Sequence, residues 1–421
     1  MVAEQSKTNV LLGREGMAAD DIWTIMDHEA EADVRWQEGR VAALVYLAGD
    51  DVAEVAKKAY LRGFSGNGLA PTAFPSLKRY ESEVVAMTAN LLHAQHGVGN
   101  ITSGGTESIL LGVKIARDRA RVRQPHITAP EIVLPETAHP GFDKAAHYFG
   151  LKTIRTPVGA DWRVDIDAYR AAITENTVLL VGSAPNYVYT MIDPIPELSA
   201  FALERDICFH VDACVGGFFL PFVEKLGHNI IPFDFRNPGV TTISADLHKF
   251  GYTAKGASTI ICRDEEINQY QGYYFDNWPG GTYRTPTLTG TRPGGAIAAA
   301  WAVMNYLGED GYLRLTEKTM AFIRRFRDDI EAMPDYYVVG EPDMSLIAYA
   351  SDTLDMVAVG DGMVARGWRV YLERVPPCIH LMLSPGHEPF LDGYLNDLRE
   401  VTEQVKAGEV NRVTEEIKYG Q

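Results

Sequence analysis

The chain has 421 residues, 46% of them apolar and 23% charged, with a net charge of −17. That length exceeds one small core and predicts two or three domains, or one large α/β domain with appendages. The composition is that of a soluble globular enzyme, and the negative charge excludes nucleic acid or an anionic membrane surface as the main partner, because both repel a polyanion.

The opening stretch, "MVAEQSKTNVLLGREG", carries no long apolar run and no signal-peptide shape. Residues 15–60 read as helical, with Ile22, Ile25 and Met26 at helical spacing behind acidic residues. "SGNGLAPTAFPSL" (65–77) is a Gly- and Pro-rich loop, and "KRYESEVVAMTANLLHAQH" is a second amphipathic helix. From about residue 98 the pattern becomes α/β. "ITSGGTES" is a glycine turn feeding a helix. Six β-rich runs follow: "EIVLPE", "KTIRTPV", "TVLLVGSAP", "ICFHVDA", "TTISAD" and "STIICR". Helical stretches such as "IDAYRAAIT" and "IPELSAFALERD" lie between several of them, which predicts a mostly parallel sheet with helices on both faces. A long helical stretch starts after "YRTPTLTGTRPGG" (283–295), and strands with a closing amphipathic helix make a smaller α+β domain near the C-terminus. No stretch reaches the ~18 apolar residues of a transmembrane helix. Cys208, Cys214, Cys262 and Cys378 are scattered and form no C-x-x-C pair, which fits a reducing cytoplasm and suggests neither a zinc ribbon nor a disulfide framework.

Four motifs fall where such strands run out, the place where ligands of parallel sheets bind. In "TSGGTES" (102–108) two glycines precede Thr106 and a helix. Backbone amides and the helix dipole there suit an anion, and Thr106 and Ser108 offer hydroxyls, although a plain Ser/Thr cap has the same appearance. In "ICFHVDACVGGF" (207–218), Cys208, His210 and Asp212 share one strand face, with Asp212 at the strand end. That carboxylate suits a cationic ring nitrogen. A metal site at His210 and Asp212 ranks below it, because no third ligand lies nearby. In "ISADLHKFGYTAKG" (243–256), His248 and Lys249 sit side by side in a turn and Lys255 follows. A lysine amine forms a Schiff base when held beside an aldehyde and partly deprotonated, and burial or the neighbouring Lys255 charge is expected to lower the pKa of Lys249. In "TAHPGFDKAAHYFG" (137–150), His139 is placed to stack on a planar ring. Each motif alone has a bland structural explanation. Together they supply an aldehyde partner, a phosphate cradle, an anion for a ring nitrogen and a stacking face, which is what pyridoxal phosphate requires.

These stretches resemble the fold-type I pyridoxal-phosphate enzymes of the group II decarboxylase family, and within them the sphingosine-1-phosphate lyases. The similarity runs from about residue 80 to 320, through "TSGGTESI", "HPGFDKAAHYFG", "IDPIPEL", "HVDACVGGF", "PFDFRNPGVTTISADLHKFGY" and "GGTYRTPTLTGTRPGG". The last two are the more specific to the lyases. The resemblance implies that Lys249 is the Schiff-base lysine, that Asp212 pairs with the pyridinium, and that His139 stacks on the ring. It implies that Gly105, Thr106 and His248 hold the cofactor phosphate, that Tyr187 is an active-site tyrosine, and that Lys255 lies near the substrate. It implies a homodimer with "RTPTLTGTRPGG" near the active site across the interface. It also implies an N-terminal helical arm (1–62), a large domain with a seven-stranded, mostly parallel sheet (63–310) and a small C-terminal α+β domain (311–421). In the lyases a loop before the sheet carries an Asn and a His that bind the substrate phosphate. Here Asn67 matches the first, but Ala70 stands at the His position.

The activity expected from the resemblance is retro-aldol cleavage of a 2-amino-3-hydroxy compound, with Tyr187, Lys255 and Lys249 as candidates for the proton transfers. The alternative is α-decarboxylation of an amino acid on the same scaffold. A catalytically silent scaffold is a third reading, and the intact Lys249, Asp212 and His139 speak against it.

Overall fold

The computed structural model describes residues 12–418. The stretch expected to lack a leader lies, up to residue 11, outside the described residues, as do the last three positions of the expected small domain.

Three helices come first: α1 (Ala19–Ala30), α2 (Asp50–Gly63) and α3 (Pro75–Leu91). None of the α1 residues is buried. A seven-stranded sheet follows, from β1 (Val98–Thr102), β2 (Glu131–Pro135), β3 (Lys152–Thr156), β4 (Thr177–Ser183), β5 (Cys208–Asp212), β6 (Thr242–Ala245) and β7 (Ser258–Cys262). Their order is β1-β7-β6-β5-β4-β2-β3. The strands from β3 through β6 run parallel. β7 is antiparallel to both β6 and β1, so β1 again points the same way as β6. Covering the sheet are α4 (Gly105–Arg123), α5 (Gly141–Phe149), α6 (Ile166–Ala172), α7 (Ile195–Arg205) and α8 (Leu220–Lys225). The central strands are buried along their whole length, as in "EIVLP" and "TVLLVGS", because helices cover both faces. Edge strand β3 instead carries Lys152 and Arg155, charges that discourage pairing with another sheet.

A short helix, α9 (Glu265–Asn268), and a hairpin of β8 (Tyr273–Phe275) and β9 (Tyr283–Thr285) lead to α10 (Gly294–Glu331). α10 is broken at Gly308, whose φ of 56° is one that side-chain-bearing residues rarely adopt. The expected boundary between residues 310 and 311 falls just past this break. Beyond it Phe322, Ile323, Phe326 and Ile330 join a second core. That core is built on an antiparallel sheet of β10 (Tyr337–Val338), β11 (Leu346–Ala350), β12 (Tyr371–Arg374) and β13 (Pro377–Met382), in the order β10-β11-β13-β12. α11 (Met356–Ala365) and α12 (Leu391–Lys406) complete it. The chain before α2 also belongs here: Val41 bridges Arg369, and Ala42 is buried in this core. Among the described residues no helix is long and apolar enough to cross a membrane.

Candidate active site

Three neighbouring strands end in register. Ser183 of β4 pairs with Asp212 of β5, and Asp212 pairs with Ser244 of β6. β1 ends at the same edge, where Gly104 turns the chain into α4. These ends enclose a cavity of about 340 Å³. Its lining gathers Gly105, Thr106, His139, Tyr187, Asp212, His248 and Lys249, drawn from chain segments far apart in sequence.

Each side chain has a local reason for its place. A Cβ on Gly105 would lie 2.7 Å from Cys214 Sγ and 2.8 Å from Asp246 Oδ2, so only glycine lets α4 begin this close to the strand ends. Asp212 Oδ1 accepts from the Cys214 amide at 3.0 Å and from Ser244 Oγ at 3.2 Å. Both bonds fall on one oxygen. His139 Nδ1 accepts from the Gly141 amide at 3.0 Å, which fixes the ring at the start of α5. Burial pushes the His139 pKa down, against the pull of Asp212, and so favours the neutral ring. His248 Nδ1 accepts from the Ala257 amide at 3.2 Å. Burial brings the His248 pKa down to about 4, leaving a neutral imidazole with its proton on Nε2, ready to donate to an anion.

The two lysines differ in a way that reverses one expectation. Lys249 Nζ lies 2.9 Å from Asp246 Oδ2, a carboxylate with a side chain only 1% exposed. Burial alone would lower the Lys249 pKa, but the Asp246 charge, with help from Cys214 and others, holds it well above the ordinary lysine value. In return, Lys249 and His248 hold Asp246 below the usual carboxylate range despite its burial. The lowered lysine is Lys255. Burial and the Lys249 charge bring it down to about 8. Its Nζ donates to the His248 carbonyl at 3.1 Å and stands 4.7 Å from the centre of the Tyr46 ring.

Several sequence expectations need adjusting. Ser108 is not at the cavity; it is buried against Thr102 Oγ1 at 2.7 Å and Ser258 Oγ at 2.8 Å. His210 uses both ring nitrogens on Thr242 and Ser244, and among the described residues no three His, Cys, Asp or Glu side chains converge as a metal site. Asn67 lies outside the Lys249 cavity of its own chain. Its Oδ1 accepts from the Leu69 amide and its Nδ2 donates to Thr291 Oγ1 at 3.3 Å. The carbonyl of Ala70 closes a turn with the amides of Ala73 and Phe74. The "RTPTLTG" loop does touch the site within one chain, because Glu107 of the cavity lining accepts from the Leu288 amide at 2.9 Å and the Ser103 amide at 2.7 Å. The residue that sequence reasoning missed is Asp246. Its signal was the helical i, i+3 spacing to Lys249 across a turn.

The pocket fits pyridoxal phosphate. The glycine-started helix and His248 offer donors to a phosphate, Asp212 offers an acid, and Asp246 Oδ1 is a buried oxygen without a hydrogen-bond partner. Comparison with known proteins agrees. A family model described as the pyridoxal-dependent decarboxylase conserved domain matches residues 34–351. A sphingosine-1-phosphate lyase of Arabidopsis thaliana is 44% identical over 391 residues, 91% of this chain and 72% of that protein. A probable L-aspartate decarboxylase of Pyrococcus furiosus is 31% identical, over 89% of this chain and 99% of that protein. The solved structure of a sphingosine-1-phosphate lyase from Burkholderia pseudomallei matches with a TM-score of 0.91 at 37% identity, covering 97% of this chain and 96% of that chain.

Proposed function

The chain belongs to the pyridoxal-dependent decarboxylase family, and from that premise we propose that it cleaves the bond between the amine-bearing and hydroxyl-bearing carbons of a phosphorylated long-chain amino alcohol. It is a pyridoxal-phosphate-dependent lyase similar to the sphingosine-1-phosphate lyases. The observation that carries the site assignment is the convergence of Lys249, Asp212, His139 and the α4 N-terminus on one cavity.

The bound cofactor supplies an electron sink for the pair released when the bond breaks. The chain's own groups do the rest. Lys249 supplies the amine for the cofactor aldehyde, and Asp246 holds that amine in place. Asp212 presents its carboxylate to the ring nitrogen, and His139 covers one ring face. Gly105, Thr106 and His248 bind the cofactor phosphate. Lys255, lowered to about 8, is the group suited to take the proton of the substrate's 3-hydroxyl near neutral pH. Tyr187, on the cavity wall, holds or returns a proton at its hydroxyl oxygen.

The functional unit we infer is a homodimer. Supporting it, α1 leaves Ile22, Trp23, Ile25 and Met26 between 39% and 58% exposed, and Tyr273, Tyr274 and Trp278 are exposed around the β8–β9 hairpin. Asn67, outside its own chain's cavity, is assigned to substrate contact across the proposed dimer interface. A cytoplasmic location fits the four buried, unpaired cysteines.

A second reading, α-decarboxylation, is supported by the 31% identity to a probable aspartate decarboxylase. The two are separated by incubating the cofactor-loaded protein with phosphorylated sphingoid bases, unphosphorylated 3-hydroxy amines and amino acids, then assaying aldehyde and CO₂. Aldehyde from the phosphorylated bases is expected; CO₂ without aldehyde overturns the lyase reading. In the same assay Lys249→Ala is expected to lose the visible absorption of the bound cofactor and about 10³-fold or more of the activity.

A further inference from the structure

One buried side chain behind the cavity wall has no role in the account above. His380 lies on β13 in register with Ala348 of β11 and Tyr371 of β12, and it is completely buried. Neither ring nitrogen has a hydrogen-bond partner. Nδ1 lies 3.5 Å from Oε1 of Glu373 on β12. The ring meets that of Tyr187 edge to face, with centroids 4.4 Å apart and planes at 76°. Tyr187 in turn lines the Lys249 cavity on one side and, together with Glu373, a neighbouring cavity of about 430 Å³ on the other.

Burying an imidazole with neither nitrogen bonded costs stability that a phenylalanine of similar shape would not. The position tolerates that cost beside one particular ring, which calls for a purpose at that ring. Tyr187 lines a cavity on each side, and the His380 ring packs against it from the small domain.

We propose that Glu373 and His380 are positioning residues for Tyr187. The carboxylate fixes the rotation of the imidazole, and the imidazole holds the tyrosine ring edge to face so that its hydroxyl stays directed at the reacting atoms. This rests on the active-site role proposed for Tyr187, and it makes the small domain a contributor to proton transfer in the large one. The contact matters when a proton moves, so its loss lowers kcat and leaves KM nearly unchanged.

The test is a double-mutant cycle on cofactor-loaded protein with Tyr187→Phe, His380→Phe and the pair. His380→Phe, which keeps an aromatic ring but loses the Glu373 contact that sets its rotation, is expected to lower kcat about 3-fold and to add almost nothing once the tyrosine hydroxyl is gone. Glu373→Gln, which keeps size and shape, is expected to show a smaller loss that also vanishes in Tyr187→Phe. If His380→Phe does not fold, Glu373→Gln with and without Tyr187→Phe carries the same test. Losses that multiply, or a raised KM at unchanged kcat, overturn the proposal. Because the coupling is read on whichever product the wild type releases, aldehyde or CO₂, a failed lyase assay bears on the proposed substrate and leaves this test intact.

Discussion

Just past the end of β6 a charged side chain is buried and paired, while along α1 the apolar side chains stand in water. Asp246 is 2% exposed and neutralised by Lys249; Trp23 and Met26 are more than half exposed among the described residues. Both arrangements are unfavourable for an isolated group. Burying a charge is costly unless it is paired, and a row of large apolar groups in water is costly unless covered. The first cost is met inside one chain. The second calls for another molecule. In the proposed dimer the cofactor pocket is therefore a property of the subunit, and α1 a property of the assembly.

The largest expected effect comes from breaking the first arrangement. Asp246→Asn leaves the partly buried Lys249 ammonium without its counter-charge, and the cofactor-free protein should lose about 3 kcal/mol in urea unfolding. Unchanged stability would mean that solvent, and not Asp246, balances that charge. Next comes the helix. Trp23→Glu with Met26→Glu should raise the dimer dissociation constant about 30-fold or more in sedimentation experiments, while the isolated subunit keeps its fold. A dimer of unchanged affinity would remove α1 from the interface. A third test compares Lys249 of the pocket with Lys255, which donates to the His248 carbonyl. The pKa of Lys255 is lowered to about 8, so the neutral amine is present above that value and lost as pH falls below it. If Lys255 is the base, kcat should drop about fivefold over the first pH unit below its pKa, and Lys255→Arg, always charged, should flatten that limb at a low rate. The smallest effect is at the loop between the two regions. Ala70→His should tighten binding of phosphorylated substrates about fivefold, the net worth of one typical added hydrogen bond, with little change for unphosphorylated ones.

How much of this was legible in the sequence depended on how local the cause is. The central runs "EIVLP" and "TVLLVGS" are strands because buried parallel strands need unbroken apolar residues, a demand written in the residues themselves. β1 was not read as a strand because "VGNIT" places Gly99 and Asn100, poor strand formers, in its middle; pairing with β7 overrides them. The cavity-lining residues of the glycine turn, of β5 and of the lysine turn were legible because each closes a strand. The state of Lys249 was not. Its direction is set by burial against the nearby Asp246 charge, and opposing influences of that kind cannot be ranked without distances. His380 was invisible for a similar reason: "CIHLMLS" reads as an apolar strand, and nothing in it names the tyrosine it faces almost two hundred positions earlier.

The antiparallel return of β7 also has a consequence for biosynthesis. β1 is an edge strand and its neighbour is β7, which ends only at Cys262. The glycine turn proposed to hold the cofactor phosphate thus leaves the ribosome long before the strand that pairs beside it. Nascent chains shorter than this should be unable to capture vitamin B6, and truncated translation products should stay colourless.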